Sequence, residues 1–175
     1  MKIFINNQND NIMTRFAKLL ILGLVALCIE GAVLVKNIQF KQQCAGYLKQ
    51  AADASTPELA LDRLDKALEY IEGHDLTEGY TSVLWKTEDE NIGFWYQNLI
   101  TCREELEDSL DGDQLQKSNV LMRVRETLTD EGERGTTLTV PPGISRYPYN
   151  LIWGILRLFS CAILIGIFGI LCSLA

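Results

Sequence analysis

Two stretches of the chain abandon any mixing of apolar and charged positions. Residues 19–35 form a 17-residue apolar run whose only charge is Glu30, and residues 151–175 form a 25-residue run whose only charge is Arg157. At a rise of about 1.5 Å per residue they make helices of roughly 26 and 37 Å. The hydrocarbon core of a bilayer is about 30 Å thick, so both runs are long enough to span it.

Between the runs, apolar residues recur at three- and four-residue steps, the signature of amphipathic helices. Ile38, Ala45, Leu48 and Ala52 carry the first helix onward as one rod. At STPE the chain restarts: Ser55 or Thr56 caps, Pro57 suits the first turn, and Glu58 completes a capping-box pattern from Ser55. Ala60, Leu61, Leu64, Ala67, Leu68 and Ile71 then line one face until Gly73. The segment GHDLTEGYTSVLWKTEDE mixes glycine and hydroxyl residues with Leu76, Val83, Leu84 and Trp85, and is expected to be a packed connection. Thr87 with Glu90 supplies a second capping box, followed by Ile92, Trp95, Tyr96, Leu99, Cys102, Leu106 and Leu110. A fourth helix is predicted over 113–129, with Leu121, Val124 and Leu128 inward.

The predicted fold class is therefore all-α: two transmembrane helices flanking a soluble, acidic, roughly four-helix bundle. Its parts are an N-terminal tail at 1–18, a first span at 19–35, the bundle at 36–132, a linker containing proline and glycine at 133–150, and a second span at 151–175. In the linker Pro141, Pro142 and Pro148 lack amide hydrogens and rule out a continuous helix. Tyr147, Tyr149 and Trp153 are expected to form an interfacial belt setting the depth of the second span.

A basic flank before an apolar run also marks a cleaved secretory signal. Here the run exceeds a typical h-region, Asp10 dilutes the flank, no small-x-small site closes it, and Leu27 is too large to precede a lipoprotein cysteine at Cys28. A retained helix is expected.

Charge narrows the partners. Residues 37–147 carry 21 acidic and 11 basic side chains, a net charge of minus 10. Such a surface repels phosphates, which argues against nucleic acid and against docking on anionic lipid. It serves solubility first, and it suits a basic protein partner. Lys2, Arg15 and Lys18 precede the first span, against Lys36, Lys41, Lys49, Arg134 and Arg146 on the domain side, a bias that tilts the domain toward the cytoplasm.

Catalytic chemistry is hard to assemble from these residues. His74 is the only histidine, so no histidine pair exists to hold a metal, and a general base there would need its partners from elsewhere. The run from Glu107 to Asp113 has Gly112 at the turn position of a calcium loop, but Glu107 stands where Asp is required and Ser118 where a bidentate Glu belongs. No phosphate loop, nucleophile elbow or CxxC is present. Cys102 falls on the apolar face of a predicted helix, where a free buried thiol is expected, and if the domain faces an oxidising space a disulfide between Cys44 and Cys102 is the alternative. No catalytic residue, metal or cofactor is predicted. Phe94, Trp95 and Tyr96 are expected to pack mainly in the core; if one ring, Phe94 above all, is exposed, it marks a docking surface.

The two lone charges bear on each other. If both runs span, they are antiparallel; Glu30 lies six residues before Lys36 and Arg157 six residues after Leu151, each about 9 Å inside the same boundary. Glu30 shares its face with Gly23 and Ala26, and Arg157 neighbours Gly154, Ser160 and Cys161. An isolated charge in hydrocarbon costs about 3 kcal/mol on insertion scales. The expectation is an intramembrane ion pair, Glu30 with Arg157, that fixes the register of the hairpin. The alternatives are an Arg157 that snorkels to the headgroups beside a protonated or water-facing Glu30, and partners on another subunit.

The blocks TPELALDRLDKALEYIEGH, TEGYTSVLWK and NIGFWYQNL resemble stretches of small bacterial membrane proteins that carry no assigned activity. The resemblance implies a bacterial plasma-membrane protein and transfers no site residue. Together these readings predict a non-enzymatic membrane-anchored accessory or protein-interaction subunit, whose partners are membrane lipid and either another protein or a second copy of itself. The competing reading is a membrane-bound sensor with an extracytoplasmic helical ligand-binding bundle.

Overall fold

The computed structural model describes the backbone over residues 2–132 and 135–174, and side chains over 17–132, 135–170 and at Cys172. Arg134 and the side chains of Lys2 and Arg15, which enter the charge bias above, lie outside the described residues, as does position 133, where the linker is expected to begin. The chain is mostly helical and divides into two compact units: residues 36–150, and the chain on either side of them.

Helix α1 covers Lys2–Phe40 and passes through a π-helical turn, Lys41–Ala45, into α2, Gly46–Ala52. The turn depends on Gly46: its N–H bonds back to the Lys41 carbonyl, and a Cβ there would sit 3.0 Å from that oxygen. Helix α3 runs Pro57–Gly73. Thr56 is its cap, with the hydroxyl accepting the Leu59 N–H at 3.3 Å, so of the two capping residues read from STPE it is Thr56 that acts.

Helix α4, Ile92–Asp108, begins later than the Thr87–Glu90 box implies. Thr87 does donate to the Glu90 carboxylate, but around a short 3₁₀ turn, Glu88–Glu90. The reason lies upstream: Ile92 N–H donates to Gly79 O at 2.9 Å and Thr81 N–H to Glu90 O at 3.0 Å, which keeps the chain out of the α-helix until Asn91, itself extended, caps α4 by accepting the Phe94 N–H at 3.0 Å. Helix α5, Gln114–Leu128, is capped by Asp113, which accepts from Gln116 N–H at 2.8 Å.

These helices share one core. Cys44, Leu48, Ala60, Leu64, Ile71, Leu99, Leu106 and Val124 are among its most enclosed members, and α2, α3, α4 and α5 pack on one another through it. Leu76 joins the core from the connection after α3, whereas Val83, Leu84 and Trp85, expected to pack, are exposed.

A second departure from the all-helical expectation follows α5. Strands β1, Thr129–Gly132, and β2, Gly135–Leu138, pair antiparallel with Thr129 opposite Leu138 and Gly132 opposite Gly135. Threonines favour the extended chain, and Gly135 holds φ at +107°, a value other residues rarely adopt. Beyond β2 a 3₁₀ turn, Ile144–Arg146, leads to helix α6, Asn150–Leu174.

In the other unit α1 and α6 run antiparallel, since rising positions on one meet falling positions on the other: Gly23 with Ile167, Ala26 with Ser160, Glu30 with Arg157. The helical stretches Ala17–Ala52 and Asn150–Ile170 are both long and apolar enough to cross a membrane, and most of each apolar window is not covered by protein.

Candidate functional site

In the unit formed by 36–150, the aromatic triplet of α4 is split by the helix into three roles. Trp95 points inward, 6% exposed, and its indole N–H donates to the Thr139 carbonyl at 2.9 Å. That bond fastens the segment after β2 onto α4, where Thr139 is further held through its own N–H to Leu128 O at 2.9 Å. Tyr96, half-buried, donates its hydroxyl to Glu72 of α3 at 2.9 Å; burial first, and the carboxylate second, push its titration above the ordinary phenol range. Phe94 remains 64% exposed.

Because Thr139 is fixed beside Trp95, the segment Leu138 to Pro142 and the start of α4 form two walls of a groove of about 490 Å³. Phe94 and the edge of Trp95 line it with Val140 and Pro141, while Glu88, Asp89 and Asp130 stand along it. A cleft lined by apolar side chains and carboxylates, with no lysine or arginine among its lining residues, favours ligands that combine apolar surface with positive charge. The sequence pattern singles out Phe94, Trp95 and Tyr96 but not the opposite wall. The signal that points to it is chemical: a buried indole needs an acceptor, and the proline-rich stretch after α5 has carbonyls that no helix uses.

In the other unit, Arg157 Nε donates to Glu30 Oε2 at 3.2 Å, with both side chains partly exposed to the surroundings of the helices. One turn along, the buried Ser160 hydroxyl donates to the Ala26 carbonyl at 3.1 Å. A Cβ on Gly23 would lie 3.4 Å from Ile167, an ordinary contact, so Gly23 faces the other helix there. Gly154, by contrast, faces open space, and Cys161 is exposed.

The remaining candidates are occupied locally. His74 stacks on Tyr70 with ring centroids 4.0 Å apart and donates through Nδ1–H to the Tyr70 carbonyl at 2.8 Å. In the calcium-like run, Glu107 accepts from Arg103 at 2.8 Å while Asp113 caps α5. Among the described residues no group of three or more His, Cys, Asp or Glu comes together as a metal site. Cys44 and Cys102 are free and buried, and burial raises the Cys102 thiol above its ordinary range. Of the expected interfacial aromatics, Tyr147 packs against the domain core, Tyr149 is exposed and Trp153 is half-buried.

The class defined by these features is a mostly helical chain with two helices long and apolar enough to cross a membrane. Compared with models of known families, with curated proteins and with solved structures, the chain finds no match.

Proposed function

We propose that this is an integral protein of a bacterial plasma membrane, in which spans at 19–35 and 151–175 hold an acidic, roughly four-helix bundle at the cytoplasmic face. The bundle is a non-catalytic accessory module that docks a protein partner. The observation that carries this reading is the groove beside α4: Phe94 stands exposed at an apolar cleft bordered by Glu88, Asp89 and Asp130. Aromatic side chains, phenylalanine among them, are enriched at protein interfaces. The occupant expected is a segment with one large apolar residue between lysines or arginines.

The test is purification of the full chain in mild detergent from its native membrane, comparing wild type with Phe94→Glu. A partner retained by wild type, lost from the variant, and carrying such a basic and apolar segment supports the proposal, provided both proteins melt alike. Equal recovery from both, or recovery of the chain alone, overturns it. Protease cleavage of a tag at the Asp111 turn from outside intact cells would reverse the assigned side and favour a sensor.

A further inference from the structure

Most exposed large apolar side chains within 36–150 stand singly, but Val83, Leu84 and Trp85 are consecutive and 47, 77 and 77% exposed. The loop that carries them is closed at its neck. Thr81 N–H donates to Glu90 O at 3.0 Å, and Asn91 Nδ2 donates to the Tyr80 hydroxyl at 3.2 Å. Gly79, at φ +100°, lies so close to the Tyr147 hydroxyl that a Cβ would collide with it. Lys86 lies over the Tyr80 ring, with Nζ 4.8 Å from its centroid. The apolar tip therefore projects from a fixed base.

That base is tied to the place where the chain leaves this unit. Asn150 Nδ2 donates to the Thr81 carbonyl at 2.6 Å, and the next residue, Leu151, opens the second apolar run. Ser145 Oγ donates to Asn37 Oδ1 at 2.6 Å, bringing the start of the unit to the same end. A chain advances at most about 3.6 Å per residue, so the Trp85 backbone lies within roughly 14 Å of Thr81. Tyr149, adjacent to Asn150, is also exposed, at 59%.

We propose that Val83, Leu84 and Trp85 insert into the interfacial layer of the bilayer, a third point of attachment in addition to the two apolar helices. This rests on the membrane reading above. Tryptophan concentrates at the headgroup level because its ring is apolar and its N–H is polar. The neighbouring Glu88, Asp89 and Glu90 disfavour anionic headgroups, so the contact is apolar and suits zwitterionic lipid.

Quenching of tryptophan emission tests this in the full chain reconstituted into phosphatidylcholine vesicles. Bromine near the top of the acyl chains reports insertion, and iodide reports exposure to water. In Trp153→Phe the emission comes from Trp85 and the buried Trp95; bromine quenching is expected there and is expected to vanish when Trp85→Phe is added. Quenching by iodide alone overturns the proposal, and protection from both agents does so too, by showing that protein covers the loop. Trp85→Phe alone keeps Trp153 as reporter: if bromine fails to quench it, the membrane reading itself falls. Should Trp153→Phe reconstitute poorly, the difference between wild type and Trp85→Phe gives the same quantity.

Discussion

Trp95 works at the residue scale in two ways, since its ring fills the core and its indole N–H holds Thr139 by a bond of 2.9 Å. Replacing it by phenylalanine keeps most of the packing and leaves the Thr139 carbonyl without that donor. The expected loss is about 1 kcal/mol, read from urea denaturation in detergent. The pair in the apolar helices makes a sharper demand, because on the membrane reading either charge alone is orphaned at a cost of about 3 kcal/mol. Glu30→Arg and Arg157→Glu are each expected to reduce membrane-inserted yield, and the double exchange to restore it; failure of that rescue counts against the pair. Cys102 gives a third expectation. Thiols react as thiolates, and burial holds this one neutral above its ordinary range. Maleimide is expected to label it at neutral pH only after unfolding. A group whose folded pKa is raised contributes stability that is intact below its unfolded value and is lost as pH rises through the folded one. The unfolding midpoint should therefore decline on the alkaline side, and less so in Cys102→Ala.

At the scale of elements, residue order alone reveals some features and hides others. In α3 and α4 the buried positions follow the three- and four-residue spacing, because a helix against one core exposes its periodicity directly in residue type. The start of α4 escapes local reading because Thr87 and Glu90 do bond as a capping box would, yet the helix is set by contacts from Gly79 and Thr81 that no local pattern reveals. Asn91→Ala is accordingly expected to cost about 1 kcal/mol, whereas Thr87→Ala should stay within about 0.5 kcal/mol, both by chemical denaturation. The β1–β2 hairpin is hidden for another reason: short strands with mostly exposed polar side chains have no apolar alternation to detect. The groove is hidden twice over, since one of its walls follows directly from that hairpin. The helical spacing already divides Phe94, Trp95 and Tyr96 between inside and outside, but that the Trp95 indole faces the Thr139 carbonyl is set by the chain beyond the hairpin and has no local signal.

On the scale of the whole molecule, residues 37–147 carry a surplus of acidic side chains, and among the described residues Arg103 bridges Asp65 and Glu107 and Arg123 pairs with Glu105. Exposed pairs of this sort contribute little to stability. The carboxylates that line the groove are others, Glu88, Asp89 and Asp130, so on the proposed function capture of a basic partner should weaken steadily as salt is raised from low to physiological ionic strength, measured by titration on the detergent-solubilised chain. The bond between Asn37 and Ser145, at 2.6 Å, has a different consequence. A lobe tied together near its entry and its exit has the form of a cassette, even though its first residues continue the helix that precedes it. Residues 36–150 could be excised, rejoined through a short connector, or grafted into another helical hairpin, and evolution could have exchanged them in the same manner.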